Sequence, residues 1–198
     1  MNLTRIILLV CCCSLLAGCA ALFGRSTDDP ALKLKWASEH YASRDEPVQA
    51  EKLIRDALAL SQKTNNRPGM AAAYREYGLF FRSNAVTKFE TYYTKEGFLD
   101  RTASFAGRYA KAAEYFNKAK DIFTENNQHE ALSNVYLSLA KTYVMLNRQQ
   151  AACDAFDEGM KSYNAFKKGN PEAREFRAEE LSNYEEYVAE MKKQGGCP

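Results

Sequence analysis

Residues 136–143 read Tyr-Leu-Ser-Leu-Ala-Lys-Thr-Tyr, and four of them follow a helical spacing. These four are Tyr136, Leu139, Ala140 and Tyr143, separated by three, one and three positions. This spacing places all four on one face of an α-helix. The small residue between large ones predicts that the helix packs closely against a neighbour at Ala140.

The same pattern occurs twice more, nearer the N-terminus, and a second motif with small residues on either side of a larger one follows each copy. The earlier copies of the first motif are Leu34, Ala37, Ser38 and Tyr41, and Tyr74, Tyr77, Gly78 and Phe81. The second motif comprises Ala50, Ile54 and Ala57, then Ala112, Phe116 and Ala119, then Ala152, Phe156 and Gly159. Leu34 and Tyr74, like Ala112 and Ala152, are separated by about 40 residues, and such a period indicates a helical repeat protein.

This arrangement resembles the tetratricopeptide (TPR) repeat, in which small residues let two antiparallel helices approach closely. The usual TPR period is about 34 residues, so a spacing of about 40 resembles a subclass with longer helices that occurs in adaptor proteins. The resemblance implies an all-α fold, an α-solenoid of three TPR-like helical hairpins within residues 30–194.

The repeat spacing also predicts a C-terminal capping helix. Its predicted start has Asn170 as N-cap and Pro171 in the first turn, and Phe176 falls at the first large position. Glu179 and Glu180 occupy the next two signature positions, which are mainly apolar in the other repeats. Polar residues there suit a terminal helix, because no further repeat covers that face.

The interval from Tyr74 to Tyr136 exceeds the repeat period by about 22 residues, which predicts an insertion at about residues 84–107 in the second repeat. Two interpretations remain open here. The aromatic rings of the insertion either fold back onto the solenoid and extend its core, or they contact a partner, since tyrosine and phenylalanine are favoured at interfaces. In the second case the candidate anchors are Tyr92, Tyr93 and Phe98.

The N-terminal segment predicts export. Arg5 precedes an apolar run at residues 6–16 that has the length of a signal-peptide core and is too short to span a membrane. The run ends in Leu16-Ala17-Gly18-Cys19, which resembles a bacterial lipobox. The resemblance implies removal of residues 1–18, attachment of lipid to the Cys19 sulfur and acylation of the new N-terminus by a chain such as palmitate. An ordinary signal peptide that ends in cysteine is the alternative.

The residue after the lipid site bears on localisation. In Gram-negative lipoproteins an aspartate there retains the protein in the inner membrane, whereas this chain has Ala20. The resemblance therefore implies the periplasmic face of the outer membrane, or the outer face of the cell membrane in a Gram-positive organism. Residues 19–29 comprise the lipidated cysteine and a short tether, residues 20–29, which extends about 35 Å at most.

The charge balance argues against a nucleic-acid partner. Arg5 is the one charged residue of the segment 1–18, so the rest of the chain carries all but one of the 27 basic side chains and all 25 acidic ones. A balance this close to neutral provides no footprint for nucleic acid.

Once Cys19 is lipidated, Cys153 and Cys197 are the pair that can form a disulfide in an oxidising compartment. If a capping helix folds back at Gly169, Cys197 lies about 16 Å too far along it. The tail at residues 195–198 begins with two glycines that can reverse the chain, so both the bonded and the free state stay open.

The sequence contains no Gly-rich phosphate loop, nucleophile elbow or cluster of metal ligands. We therefore expect a protein that is not an enzyme and that binds no metal or cofactor. A helical small-ligand receptor or an enzyme at the envelope is the alternative, because a fold alone does not define a function.

In TPR proteins the first helix of each repeat lines a concave groove. Carried over to this chain, those positions mix basic with apolar side chains, which suits an amphipathic helix or an extended peptide. The candidate contact residues are Lys35 and Glu39, then Arg75, Leu79 and Arg82, then Leu137, Lys141, Val144 and Met145. The family's clamp for a C-terminal carboxylate is absent, because only Lys35 matches it and because Glu39 and Glu76 would repel the ligand.

These features predict a membrane-anchored adaptor or scaffold for protein–protein interaction. TPR lipoproteins of similar layout assemble outer-membrane proteins, support pilus or secretion pores, or organise cell-wall enzymes. The resemblance implies an envelope complex of this kind, with an envelope protein or peptide segment as partner.

Overall fold

The computed structural model describes residues 27–173 and 183–198, and all regular secondary structure in these ranges is helical. The helices are α1 Pro30–Ser43, α2 Pro47–Lys63, α3 Arg67–Arg82, α4 Asn84–Lys88, α5 Glu90–Lys95, α6 Arg108–Glu125, α7 His129–Met145, α8 Gln149–Gly169 and α9 Tyr184–Gln194. This architecture confirms the predicted all-α solenoid.

Three helical hairpins form the solenoid. Helix α1 packs against α2, α3 against α6, and α7 against α8, while α2–α3 and α6–α7 contacts join successive hairpins. The insertion between α3 and α6 contains the short helices α4 and α5, and α9 packs on α8 at the C-terminal end. The first helices are thus α1, α3 and α7, and the second helices are α2, α6 and α8.

Local sequence signals explain where the helices begin and end. A proline occupies the first turn of α1, α2 and α3, where its missing N–H is not needed. Four turns between helices contain a residue in the left-handed conformation, with φ of 51° to 54°. These residues are Asp45, Asn65, Asn127 and Asn147. Asn and Asp tolerate this conformation better than other side chains, so they end the helices at defined positions.

The small residues of the repeat motif lie where helices cross. Gly78 of α3 faces the Phe116 ring of α6, and a methyl group at Gly78 would lie 2.6 Å from that ring. Ala140 occupies the position of α7 that corresponds to Gly78, and Ala37 lies one residue before the corresponding position of α1. Both alanines are fully buried. The close approach predicted from the sequence is therefore a property of each hairpin.

The capping helix begins later than predicted. Residues 171–173 form a turn and a bend rather than the first turn of a helix, and the described helix starts at Tyr184. Phe176, Glu179 and Glu180 lie outside the described residues. The difference arises because α8 continues to Gly169 and Asn170 is its C-cap, not the N-cap of a new helix.

The insertion folds back onto the solenoid. The rings of Tyr93 and Phe98, only 2% and 1% exposed, stack with centroids 4.2 Å apart. Phe98 also packs edge-on against Phe81 of α3, 4.8 Å away. The prediction that Tyr93 and Phe98 are surface anchors is therefore wrong, because both rings complete the core of the first two repeats. Tyr92 points outward and is 40% exposed.

A buried carboxylate holds the insertion in place. Glu51 of α2 accepts hydrogen bonds from the backbone N–H groups of Leu99 at 2.7 Å and Asp100 at 3.3 Å. Burial raises the pKa of Glu51 to about 7, although these two hydrogen bonds oppose the rise. At the other end of the insertion, Lys88 forms an ion pair with Asp45 at 2.6 Å.

Candidate functional site

The candidate site is the predicted groove along the first helices α1, α3 and α7, and α9 extends this row by one helix. Tyr184 of α9 contacts Ser133 near the start of α7, and Gly195 lies beside Val144 near its end. Helix α9 therefore runs parallel to α7, in the place that a fourth first helix would take.

A hydrogen bond between side chains joins α1 and α3. The Tyr41 hydroxyl donates to Glu76 Oε1 at 2.6 Å. Burial raises the pKa of the Glu76 carboxyl, and Tyr41 and the nearby Arg75 partly offset this effect. Glu76 is thus a buried, hydrogen-bonded group of the groove floor rather than a free surface charge.

Arg82 joins α3 to α7. Its Nη1 donates to the backbone oxygen of Ser138 at 2.8 Å and to Thr142 Oγ1 at 3.4 Å. The guanidinium carbon lies 5.7 Å from the centroid of the Phe116 ring. Desolvation lowers the pKa of Arg82 from its ordinary value.

Lys141 joins α7 to α9. Its ammonium group donates a hydrogen bond to the Tyr187 hydroxyl and lies 4.9 Å from the centroid of the Tyr187 ring. Each neighbouring pair of groove helices is therefore linked by at least one polar contact. These contacts fix the relative positions of the helices and hence the shape of the groove.

The other predicted groove residues differ in exposure. Val144 and Met145, at the end of α7, are 37% and 46% exposed and are among the few large apolar side chains that face solvent. Lys35 is also exposed. The remaining predicted residues are half-buried: Glu39, Arg75, Leu79 and Leu137.

Sequence reasoning missed two aromatic residues. Trp36, the single tryptophan, is half-buried and lies one repeat before Glu76, at the same position of the pattern. The repeat spacing could therefore have predicted Trp36 as a groove residue. Tyr187 was not predictable in this way, because its contact with Lys141 depends on where α9 begins.

A disulfide fixes the far end of α9. Cys153 and Cys197 are bonded, with Cα atoms 5.6 Å apart. The chain reverses at Gly196, where φ is +71°, and the N–H of Cys197 donates to the oxygen of Lys192 at 2.9 Å. Tyr163 faces Tyr184 and Asp157 pairs with Lys192, whereas a fold-back at Gly169 would place residues about ten positions earlier opposite α8. This shift brings the two cysteines together.

Away from the groove, a cavity of about 530 Å³ lies near the start of α7 and the end of α8. Phe123 and Phe166 line it, and its titratable side chains are His129 and Glu130 in an exposed segment. In residues 27–173 and 183–198, no three His, Cys, Asp or Glu side chains come together as metal ligands. No helix in the same residues is long and apolar enough to cross a membrane.

Residues 102–165 match the tetratricopeptide repeat family. The match spans α6, α7 and most of α8, which are the second helix of one hairpin and the whole of the next. No curated protein and no solved structure matches the chain. The match supports TPR repeats in this part of the chain, and such repeats generally act as scaffolds for protein–protein interaction.

Proposed function

We propose that this protein is a lipid-anchored adaptor that holds a segment of another envelope protein in its concave groove. The observation that carries the proposal is the exposed pair Val144 and Met145 at the end of α7. Large apolar side chains suit a peptide partner when they lie in a groove whose helices are already held in place by hydrogen bonds. Binding then requires little further ordering of the groove.

The membrane part of the proposal rests on the sequence of residues 1–29. The lipobox resemblance at Cys19 supports lipid attachment, and Ala20 supports the outer membrane with the domain facing the periplasm. Two or more acyl chains hold a protein at a membrane stably. A partner in an assembly, secretion or cell-wall complex would then lie within reach of the short tether.

Photo-crosslinking in intact cells tests the groove. A photoreactive amino acid is placed at Met145, and in a matched control at Asn164, which is exposed on α8 outside the groove. We expect one specific adduct from position 145 and none from position 164. Equal labelling from both positions, or none from position 145, contradicts the proposal.

A further inference from the structure

Among the described residues, two cations of the groove, which join α3, α7 and α9, lack the carboxylate partner that several other half-buried cations of this protein have. Lys111, for example, is half-buried and pairs with Glu114 at 2.6 Å. In the described parts of the chain, neither Arg82 nor Lys141 has a carboxylate within salt-bridge distance.

The Arg82 guanidinium retains unused donors. It has five N–H groups, and its hydrogen bonds to described residues all come from Nη1. Lys141 contacts the neutral Tyr187 hydroxyl and ring instead of a charge. The two cations lie close together, since Arg82 bonds to Ser138 and Thr142, in the same turn of α7 as Lys141.

A desolvated cation without a counter-ion is costly, and an anion that contacts it recovers part of that cost. We propose that Arg82 and Lys141 bind carboxylate side chains of an acidic, amphipathic segment of the partner protein. This inference rests on the proposed function and names the chemistry of its partner.

The surroundings of the two cations fit such a segment. Val144 and Met145 follow Lys141 by three and four positions, so an apolar contact lies one helical turn from the charge. Glu39, a half-buried acidic residue of the groove, belongs to the first repeat and would repel the segment from that end. The acidic segment is therefore expected at the third repeat and α9.

Titration with a minimal carboxylate tests the site directly. The full chain in a zwitterionic detergent, with ¹⁵N-labelled arginine and lysine side chains, is titrated with N-acetylglutamate N-methylamide and, at equal ionic strength, with the glutamine analogue. We expect saturable shifts at Arg82 and Lys141 with the glutamate compound only. Lys141→Gln should weaken the affinity about tenfold, and Lys52→Gln, at an exposed position of α2 outside the groove, should leave it unchanged.

Three results of this titration overturn the inference: shifts that do not saturate, equal shifts with the glutamine analogue, or an unchanged affinity in Lys141→Gln. Inorganic phosphate is titrated in parallel. Tighter binding of phosphate than of the glutamate compound at these residues would also overturn the assignment to carboxylate side chains.

Charge reversal in cells separates this inference from the proposed function. In the photo-crosslinking experiment, Lys141→Glu should reduce the adduct at position 145 about tenfold or more, and Lys35→Glu should have a smaller effect. If Lys141→Glu leaves the adduct unchanged, the anion site is wrong although the adaptor function stands. If the protein that keeps Lys141 gives no adduct from position 145, the adaptor function is wrong. The titration then still tests the anion site.

Discussion

Tyr92 and Tyr93 are adjacent in the chain but have opposite roles in the fold. Among the described residues the Tyr93 hydroxyl is buried without a hydrogen-bond partner, whereas Tyr92 faces solvent. Removing an unsatisfied buried hydroxyl avoids its desolvation cost, so Tyr93→Phe should raise the free energy of unfolding by about 1 kcal/mol. Tyr93→Ala should lower it by about 3–5 kcal/mol.

Chemical denaturation measures both effects, and Tyr92→Phe is the matched control. The control should change the free energy of unfolding by less than about 0.5 kcal/mol, as is usual at a surface position. A loss of stability in Tyr93→Phe would mean that its hydroxyl has a partner in solution.

Glu51 makes stability depend on pH. Its folded-state pKa of about 7 exceeds the ordinary value of 4.5, so the folded protein binds the proton more tightly than the unfolded chain. Its contribution is complete below about pH 4.5 and is lost as the pH rises through 7, by up to about 3 kcal/mol.

Glu51→Gln keeps the size of the side chain and removes this titration. Denaturation at pH 5 and pH 8 should give a smaller loss of stability in Glu51→Gln than in the wild type. Glu76 also has a raised pKa, but it contributes to both proteins and cancels in the comparison. If both proteins lose the same stability between pH 5 and pH 8, the pH dependence does not arise from Glu51.

At the level of elements, the disulfide adds to the packing that holds α9 on α8. It is one of the shorter main helices, at 11 residues, and Cys197 ties its end to the start of α8. Cys197→Ser should therefore destabilise α9 by about 2–4 kcal/mol. Hydrogen exchange should show faster exchange in α9 with little change in α1 and α2.

Thiol counting on unreduced, denatured protein is the control for this prediction. Neither Cys153 nor Cys197 should react before reduction. If both react, or if α9 exchanges equally slowly in Cys197→Ser, the disulfide does not hold the helix.

For the whole molecule, membrane attachment should depend on the sulfur of Cys19. Cys19→Ser blocks thioether formation, so the variant should appear as uncleaved precursor or as soluble protein, with an unchanged helical circular-dichroism spectrum. The matched control is Ser14→Ala, which keeps Cys19. If Cys19→Ser is still cleaved after Gly18 and its mature form fractionates with membranes after a high-salt wash, the lipoprotein proposal is wrong.

The candidate site was only partly predictable. The groove residues followed from the repeat register, which also places Trp36 beside them. The sequence did not predict which charged residues of the groove are exposed to solvent. Glu76 accepts a hydrogen bond from Tyr41 on another helix, and Arg82 is desolvated by its neighbours. Such effects depend on contacts between residues that are far apart in the sequence.

The sequence alone determined the solenoid, because helical periodicity and the spacing of small residues are local properties that recur in each repeat. The local motif was enough to predict that Gly78 and Ala140 lie at helix crossings. Only the tertiary structure decided the fate of the insertion and the start of α9. Burial of Tyr93 and Phe98 depends on their contacts with Phe80 and Phe81 of α3, and the position of Tyr184 depends on where α8 ends.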